Sequence, residues 1–142
     1  MSNIFPTKTS VEELNQMSSK TLVSHLEIEF TEIGDDFIIA KMPVSDKTRQ
    51  PFGLLHGGAS VALAETLGSV AASLIVVPQG KIPVGLEINA NHIKSKRDGY
   101  VYGKVTAVHI GRTTHLWEIR ITDEEEQLIA VSKITVAILD KK

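Results

Sequence analysis

The sequence predicts an α+β fold in which a long central helix is wrapped by a five- to six-stranded antiparallel sheet, with a short helix at the N-terminus. Three observations predict it. Residues 57 to 77 are apolar nearly all round, so a helix there must be covered on every side. The segments before and after alternate in the manner of strands, which makes a sheet available to cover it. Small residues, among them Ala59, Ala64, Gly68, Ala71 and Ala72, recur along the run and let strands approach closely.

Each element follows in order. Residues 1 to 9 read as an arm, and Ser10 followed by Glu13 is a capping-box pattern that predicts a short helix over 10–17. Strand-like patterns run from Leu26 to Ile33 and from Asp36 to Val44, with Gly34-Asp35-Asp36 as the turn between them. Residues 45 to 52 are polar, contain a proline and read as a loop. The helix over 57–77 is stopped by Pro78-Gln79-Gly80. Further strands are expected over about 82–96, 100–109, 113–122 and 128–139, mostly in meander order, with turns at 97–99 and 123–127. No repeat, low-complexity tract or linker divides residues 1–142, so a single domain is expected. A sheet this small cannot cover the whole helix, and a partner subunit is expected to complete the burial.

Composition narrows the function. A net charge of −2, with no basic block carrying interleaved aromatics, gives no reason to expect nucleic acid. There is no cysteine, which excludes a disulfide framework, a thiolate nucleophile and a thiolate-bound zinc. The five histidines show no metal-ligand spacing, so no metal is expected. Residues 59–77 approach the length of a membrane span, but Ser60, Glu65, Thr66, Ser69 and Ser73 interrupt them and an acid is costly in lipid. The opening residues lack a secretory pattern, and a cytoplasmic protein is the expectation.

One constellation points to chemistry. Glu65, Ser69 and Ser73 recur every fourth residue and form a polar stripe on the apolar rod. A buried carboxylate is costly without a partner, and no Lys or Arg lies between residues 50 and 80 to supply one. Glu65 is therefore expected to face a cleft and to work there; the alternative is a strand-end cap or an ion pair with a distant lysine. The serines could instead bond their own helix. Gly57 and Gly58 present backbone N–H groups at the helix start, an arrangement suited to an oxyanion hole, although a plain glycine turn has the same letters. His56 and Gln50 stand just outside and could orient a carbonyl. A serine nucleophile at Ser60 lacks the G-x-S-x-G elbow.

The run H-G-G-A-S-V-A-L-A-E-T-L-G-S-V-A at 56–71, preceded by Q-P-F-G-L-L, resembles the hotdog-fold acyl-CoA thioesterases that carry their carboxylate on the central helix. Met42-Pro43-Val44 and V-G-L-E-I-N-A-N-H at 84–92 match as well, and the resemblance spans about residues 10 to 139. It is strongest to the 1,4-dihydroxy-2-naphthoyl-CoA and 4-hydroxybenzoyl-CoA thioesterases, which would fit a place in menaquinone biosynthesis. The resemblance implies Glu65 as general base or nucleophile, the Gly57 amide as oxyanion donor, and Gln50, His56 and Ser69 as assisting groups. It implies no cofactor, CoA being part of the substrate, and a site shared between two subunits, one giving Gln50, His56 and Gly57 and the other Glu65. A homodimer, assembled further into a homotetramer, is the expected state. For the CoA phosphates, cations are expected from His92, Lys94, Lys96 and Arg97 and from Gly111-Arg112, whereas His109 and His115 read as structural. Two other activities fit the same architecture: acyl-CoA binding without turnover, and hydration or dehydration of an enoyl-CoA. The latter usually pairs a His with Asp or Asn, and His56 has no such neighbour in sequence.

Overall fold

The computed structural model describes residues 3–142. Two short helices, α1 (Val11–Met17) and α2 (Leu22–His25), precede the hairpin of β1 (Glu29–Ile33) and β2 (Phe37–Pro43). The long helix α3 (Gly57–Val76) follows, then β3 (Lys81–His92), β4 (Tyr100–Ile110), β5 (Thr114–Thr122) and β6 (Leu128–Asp140).

The capping box forms as expected: the Ser10 hydroxyl accepts from the Glu13 N–H at 3.1 Å while Glu13 accepts from the Ser10 N–H. Helix α2 was not foreseen, and it delays the first strand from Leu26 to Glu29. It is held by reciprocal hydrogen bonds between Thr21 and Ser24 and ends where Glu27 turns through φ 61°. Four residues are too few for a helical period to show in sequence. The strand expected over 82–96 stops at His92, because the N–H groups of Ile93 and Lys94 both turn onto the Ile129 carbonyl, at 2.7 and 3.2 Å.

All six strands pair antiparallel in the order β1-β2-β4-β5-β6-β3. The meander expectation holds for β4, β5 and β6, but β3 leaves it. A 20-residue helix spans about 30 Å, enough to carry the chain across the sheet before β3 begins. The strand therefore lands beside β6, and β4 returns to pair with β2. One edge of the twelve-residue β3 pairs with β6 from Lys81 opposite Asp140 to His92 opposite Ala130, and among the described residues its other edge has no strand beside it.

Helix α3 packs across one face of this sheet, against β2, β3, β4, β5 and β6. Its buried positions come in pairs one turn apart: Ala59-Ser60, Leu63-Ala64, Leu67-Gly68, Ala71-Ala72 and Ile75-Val76. They pack on a core that includes Trp117, Ile119, Ile121 and Ile134. Close approach needs the small residues: a Cβ on Gly68 would stand 2.5 Å from Ile134 Cγ2. The helix is long and apolar enough to cross a membrane, but half of that stretch is buried inside this fold. Cover is nevertheless incomplete. The opposite face of α3 stays open, and on it Glu65 is exposed and Ser69 and Ser73 are half-buried. The helix is thus left partly uncovered by its own chain, because one sheet reaches only one side of a rod, and the carboxylate read as buried is exposed in the single chain. His115 is buried as a structural residue, accepting from Trp117 Nε1 at 3.3 Å, and burial pushes its pKa down, with His109 adding to the effect.

Candidate active site

The loop from Val44 to His56 is closed on itself before α3 begins. The Thr48 hydroxyl donates to the Pro43 carbonyl at 2.9 Å, the Gln50 N–H to the Leu54 carbonyl at 2.8 Å, and Gly53 turns at φ 85°. In this turn the Gln50 side chain is fixed by its oxygen, which accepts from the N–H groups of Phe52 at 2.5 Å and Leu54 at 3.5 Å. An amide held by its oxygen has its NH2 left to donate.

His56 is the N-cap of α3. Its Nδ1 accepts from the Gly58 N–H at 2.7 Å, so this nitrogen carries no proton and His56 serves as a cap. Of the two glycine amides at the helix start, Gly58's is thereby occupied. Gly57 is the first helical residue, too early to donate within the helix, and among the described residues its N–H has no acceptor. That donor opens onto a cavity of about 280 Å³ bordered by Gln50, Ser60, His92 and Lys94. Leu55 and Ile129 supply apolar wall. His92 lies directly on Gly57: a Cβ there would stand 2.8 Å from His92 Nε2, so only glycine leaves room for the ring.

Glu65 lies elsewhere. It is eight residues along α3, about 12 Å down the axis, with its carboxylate over β3: Oε2 is 3.0 Å from where a Cβ on Gly85 would be. Gly85 opens a bulge in β3, and without a side chain it gives the carboxylate a seat. Gly85 and His92 are seven residues apart, roughly 20 Å along the strand, so one chain does not bring Glu65 to the Gly57 amide. Ser69 is one turn further on from Glu65.

The expected CoA-binding set divides in the same way. His92 sits on Gly57, Lys94 Nζ bonds Gln127 Oε1, and Lys96 pairs with Glu124, so these groups already have partners within the fold. Arg97 is exposed beside the Gln50 loop, its guanidinium 4.0 Å from a Cβ position on Gly53. Gly111 and Arg112 occupy the β4–β5 turn, next in register to His115, Val136 and Gly85. They therefore share the Glu65 end of the molecule, not the Gly57 end. A single cationic patch is not formed in one chain, because antiparallel pairing sends the two turns to opposite ends of the sheet.

The cavity wall at residues 93–99 is tied down from outside. Lys96 hydrogen-bonds Glu124 and, with the Tyr100 N–H, holds that carboxyl down at about 2; Glu124 in turn raises Lys96. Two residues serve the two halves of the divided site without having been singled out for it. Ser60 was set aside as a nucleophile, yet it lines the cavity, and Gly85 seats Glu65. A glycine inside a strand pattern was the available signal for the second.

A model of the Thioesterase superfamily matches residues 52–130, which is more than half of the chain. The chain belongs to that superfamily. It is 49% identical over 136 residues to the 1,4-dihydroxy-2-naphthoyl-CoA hydrolase of Escherichia coli, covering 96% of this chain and 99% of the relative. It is 48% identical over 130 residues to the proofreading thioesterase EntH of Cronobacter turicensis, covering 92% of this chain and 94% of the relative. A crystal structure of a thioesterase from Haemophilus influenzae superposes with a TM-score of 0.93 at 47% identity, over 96% of this chain and 95% of that one. The enzyme is thus a thioesterase of the hotdog fold.

Proposed function

We propose that this thioesterase hydrolyses an aromatic acyl-CoA, 1,4-dihydroxy-2-naphthoyl-CoA or a benzoyl-type ester, at a site that two copies of the chain complete. The observation that carries the reading is the separation of the Gly57 amide from Glu65 along an unpaired edge strand. Gly57 lies against His92 and Glu65 against Gly85. A twofold axis between Ile88 and Asn89 that pairs two β3 edges antiparallel exchanges those two places. Glu65 of the partner subunit then reaches the Gly57 cavity. The same pairing brings the partner's Gly111-Arg112 turn toward Lys94 and Arg97, uniting the divided cations for the CoA phosphates. It also closes the edge of β3 that has no strand beside it among the described residues.

In that site the thioester carbonyl oxygen accepts from the Gly57 N–H and from the Gln50 NH2, donors that meet the charge developing on it. Glu65 of the partner subunit takes a proton from water as the hydroxide adds to the carbonyl carbon, or attacks that carbon itself. In the first case the tetrahedral intermediate expels the CoA thiolate, which recovers the proton from Glu65, leaving acid and thiol. In the second, expulsion of the thiolate leaves an acyl anhydride on Glu65, and water cleaves it, releasing the acid, restoring the carboxylate and giving the thiolate its proton. His56 holds the helix start, and Ser69 stands beside the carboxylate. No cofactor enters these steps. The aromatic acyl group is supported by the E. coli relative, a 1,4-dihydroxy-2-naphthoyl-CoA hydrolase; that acyl group carries a hydroxyl ortho to the carbonyl. Menaquinone biosynthesis in the cytoplasm is the setting this substrate implies. Ile82, Val84 and Leu139, exposed on the sheet face away from α3, support pairing of dimers into a tetramer.

Thiol release from these esters by wild type and by Glu65→Gln tests the reading. Removing a general base costs about 10²–10⁴ in rate, and a variant retaining more than half the activity would refute the role of Glu65.

A further inference from the structure

Ser60 stands three residues after Gly57, on the face of α3 that the sheet covers, and is only 2% exposed. It borders the same cavity as Gln50, Gly57 and His92. Thr66 in the same helix returns its hydroxyl to the Ala62 carbonyl at 2.7 Å. Ser60 makes no such bond: among the described residues its hydroxyl has no partner, and none of their buried polar atoms is sealed away unpaired. The hydroxyl is therefore open to the cavity. Helical side chains lean toward the helix N-terminus, which hangs it over the turn that begins at Gly57.

Counting donors decides what it can serve. A carbonyl oxygen offers two lone pairs, and the Gly57 N–H and Gln50 NH2 already match them. Of the other polar residues on the cavity, His92, Lys94 and Ser95 are exposed, whereas Ser60 is buried between the helix and the apolar wall of Leu54, Leu55 and Ile129. Its hydroxyl is surplus to the carbonyl and free to meet a group beside it. We propose that Ser60 determines acyl specificity by hydrogen-bonding a hydroxyl on the ring carbon ortho to the thioester carbonyl. This rests on the thioesterase reading above and adds to it the substitution pattern of the ring. An acyl ring without the ortho hydroxyl covers the buried Ser60 hydroxyl and leaves it unpaired, and sites built to bond a hydroxyl reject analogues lacking it.

The test measures kcat and KM for 2-hydroxybenzoyl-, 4-hydroxybenzoyl- and benzoyl-CoA with wild type and Ser60→Ala. Alanine is smaller and a stronger helix former, so α3 is kept, and circular dichroism verifies it. Wild type is expected to favour the 2-hydroxy ester. The variant should lose about three- to tenfold in kcat/KM on that ester alone, the size of one neutral hydrogen bond, with the other two within about twofold. Equal losses on all three esters would assign Ser60 to the shared pantetheine or to the fold and overturn the proposal, as would no change on any. Failure of wild type to cleave any of the three would instead sink the aromatic thioesterase reading, and this proposal with it.

Discussion

If Glu65 and Gln50 meet only across two subunits, two dead variants should rescue each other. Glu65→Gln removes the base, at a cost of about 10²–10⁴. Gln50→Ala removes a donor, at a cost of about 10²–10³. Gln50 borders the Gly57 cavity, and Glu65 of the same chain is about 12 Å down the helix from Gly57. In a mixed dimer one site then carries both lesions and the other carries none. Random exchange makes about half of all dimers mixed, each with one good site of two, so about a quarter of wild-type activity returns. The assay is thiol release after the two purified variants are unfolded and refolded together, compared with each refolded alone. Sites built within one chain would each keep one lesion in the mixed dimer, and no recovery above the single variants would refute the shared-site geometry.

Two further outcomes follow from packing and charge. Gly68→Ala places a Cβ 2.5 Å from Ile134 Cγ2 in the core. Overpacking costs about 1–3 kcal/mol against up to about 1 kcal/mol gained in helix propensity, so calorimetry should show a lowered Tm; an unchanged or raised Tm would refute the tight helix–sheet contact. Glu124 is held down from 4.5 to about 2, chiefly by Lys96 and then by the Tyr100 N–H. A depressed carboxyl stabilises above its unfolded value, and that contribution is lost as pH falls through the folded one. The Tm advantage of wild type over Glu124→Gln should therefore be full above about pH 5 and vanish near about pH 2. An advantage that does not change with pH would sink the Lys96–Glu124 tie.

Much of the fold was legible because its signals are local. The Ser10–Glu13 capping box, the glycine start and Pro78-Gln79-Gly80 stop of α3, and the period of two in β4, β5 and β6 each need only a few neighbouring residues. The motif from His56 to Ala71 likewise carried the superfamily, since helix-start glycines and an acid two turns later are features of one continuous segment. What failed to show was short or non-local. Helix α2 is shorter than a readable period, and the early end of β3 depends on the Ile129 carbonyl, 36 positions beyond Ile93.

The candidate site divides along the same line. Sequence by itself determined which residues are chemically capable: an acid on an apolar helix, amides at its tip, a glutamine in the loop before it. Only the tertiary structure decided where they act. The crossing of α3 sends β3 to the sheet edge, leaves Glu65 on the open face and sets it over Gly85, lays His92 on Gly57, commits Lys94 and Lys96 to Gln127 and Glu124, and turns the Ser60 hydroxyl into the cavity. Periodicity reports the face a residue occupies on its own element. The edge a strand takes, and the end of the sheet at which two side chains meet, follow from contacts between segments far apart in the chain, which no local pattern encodes.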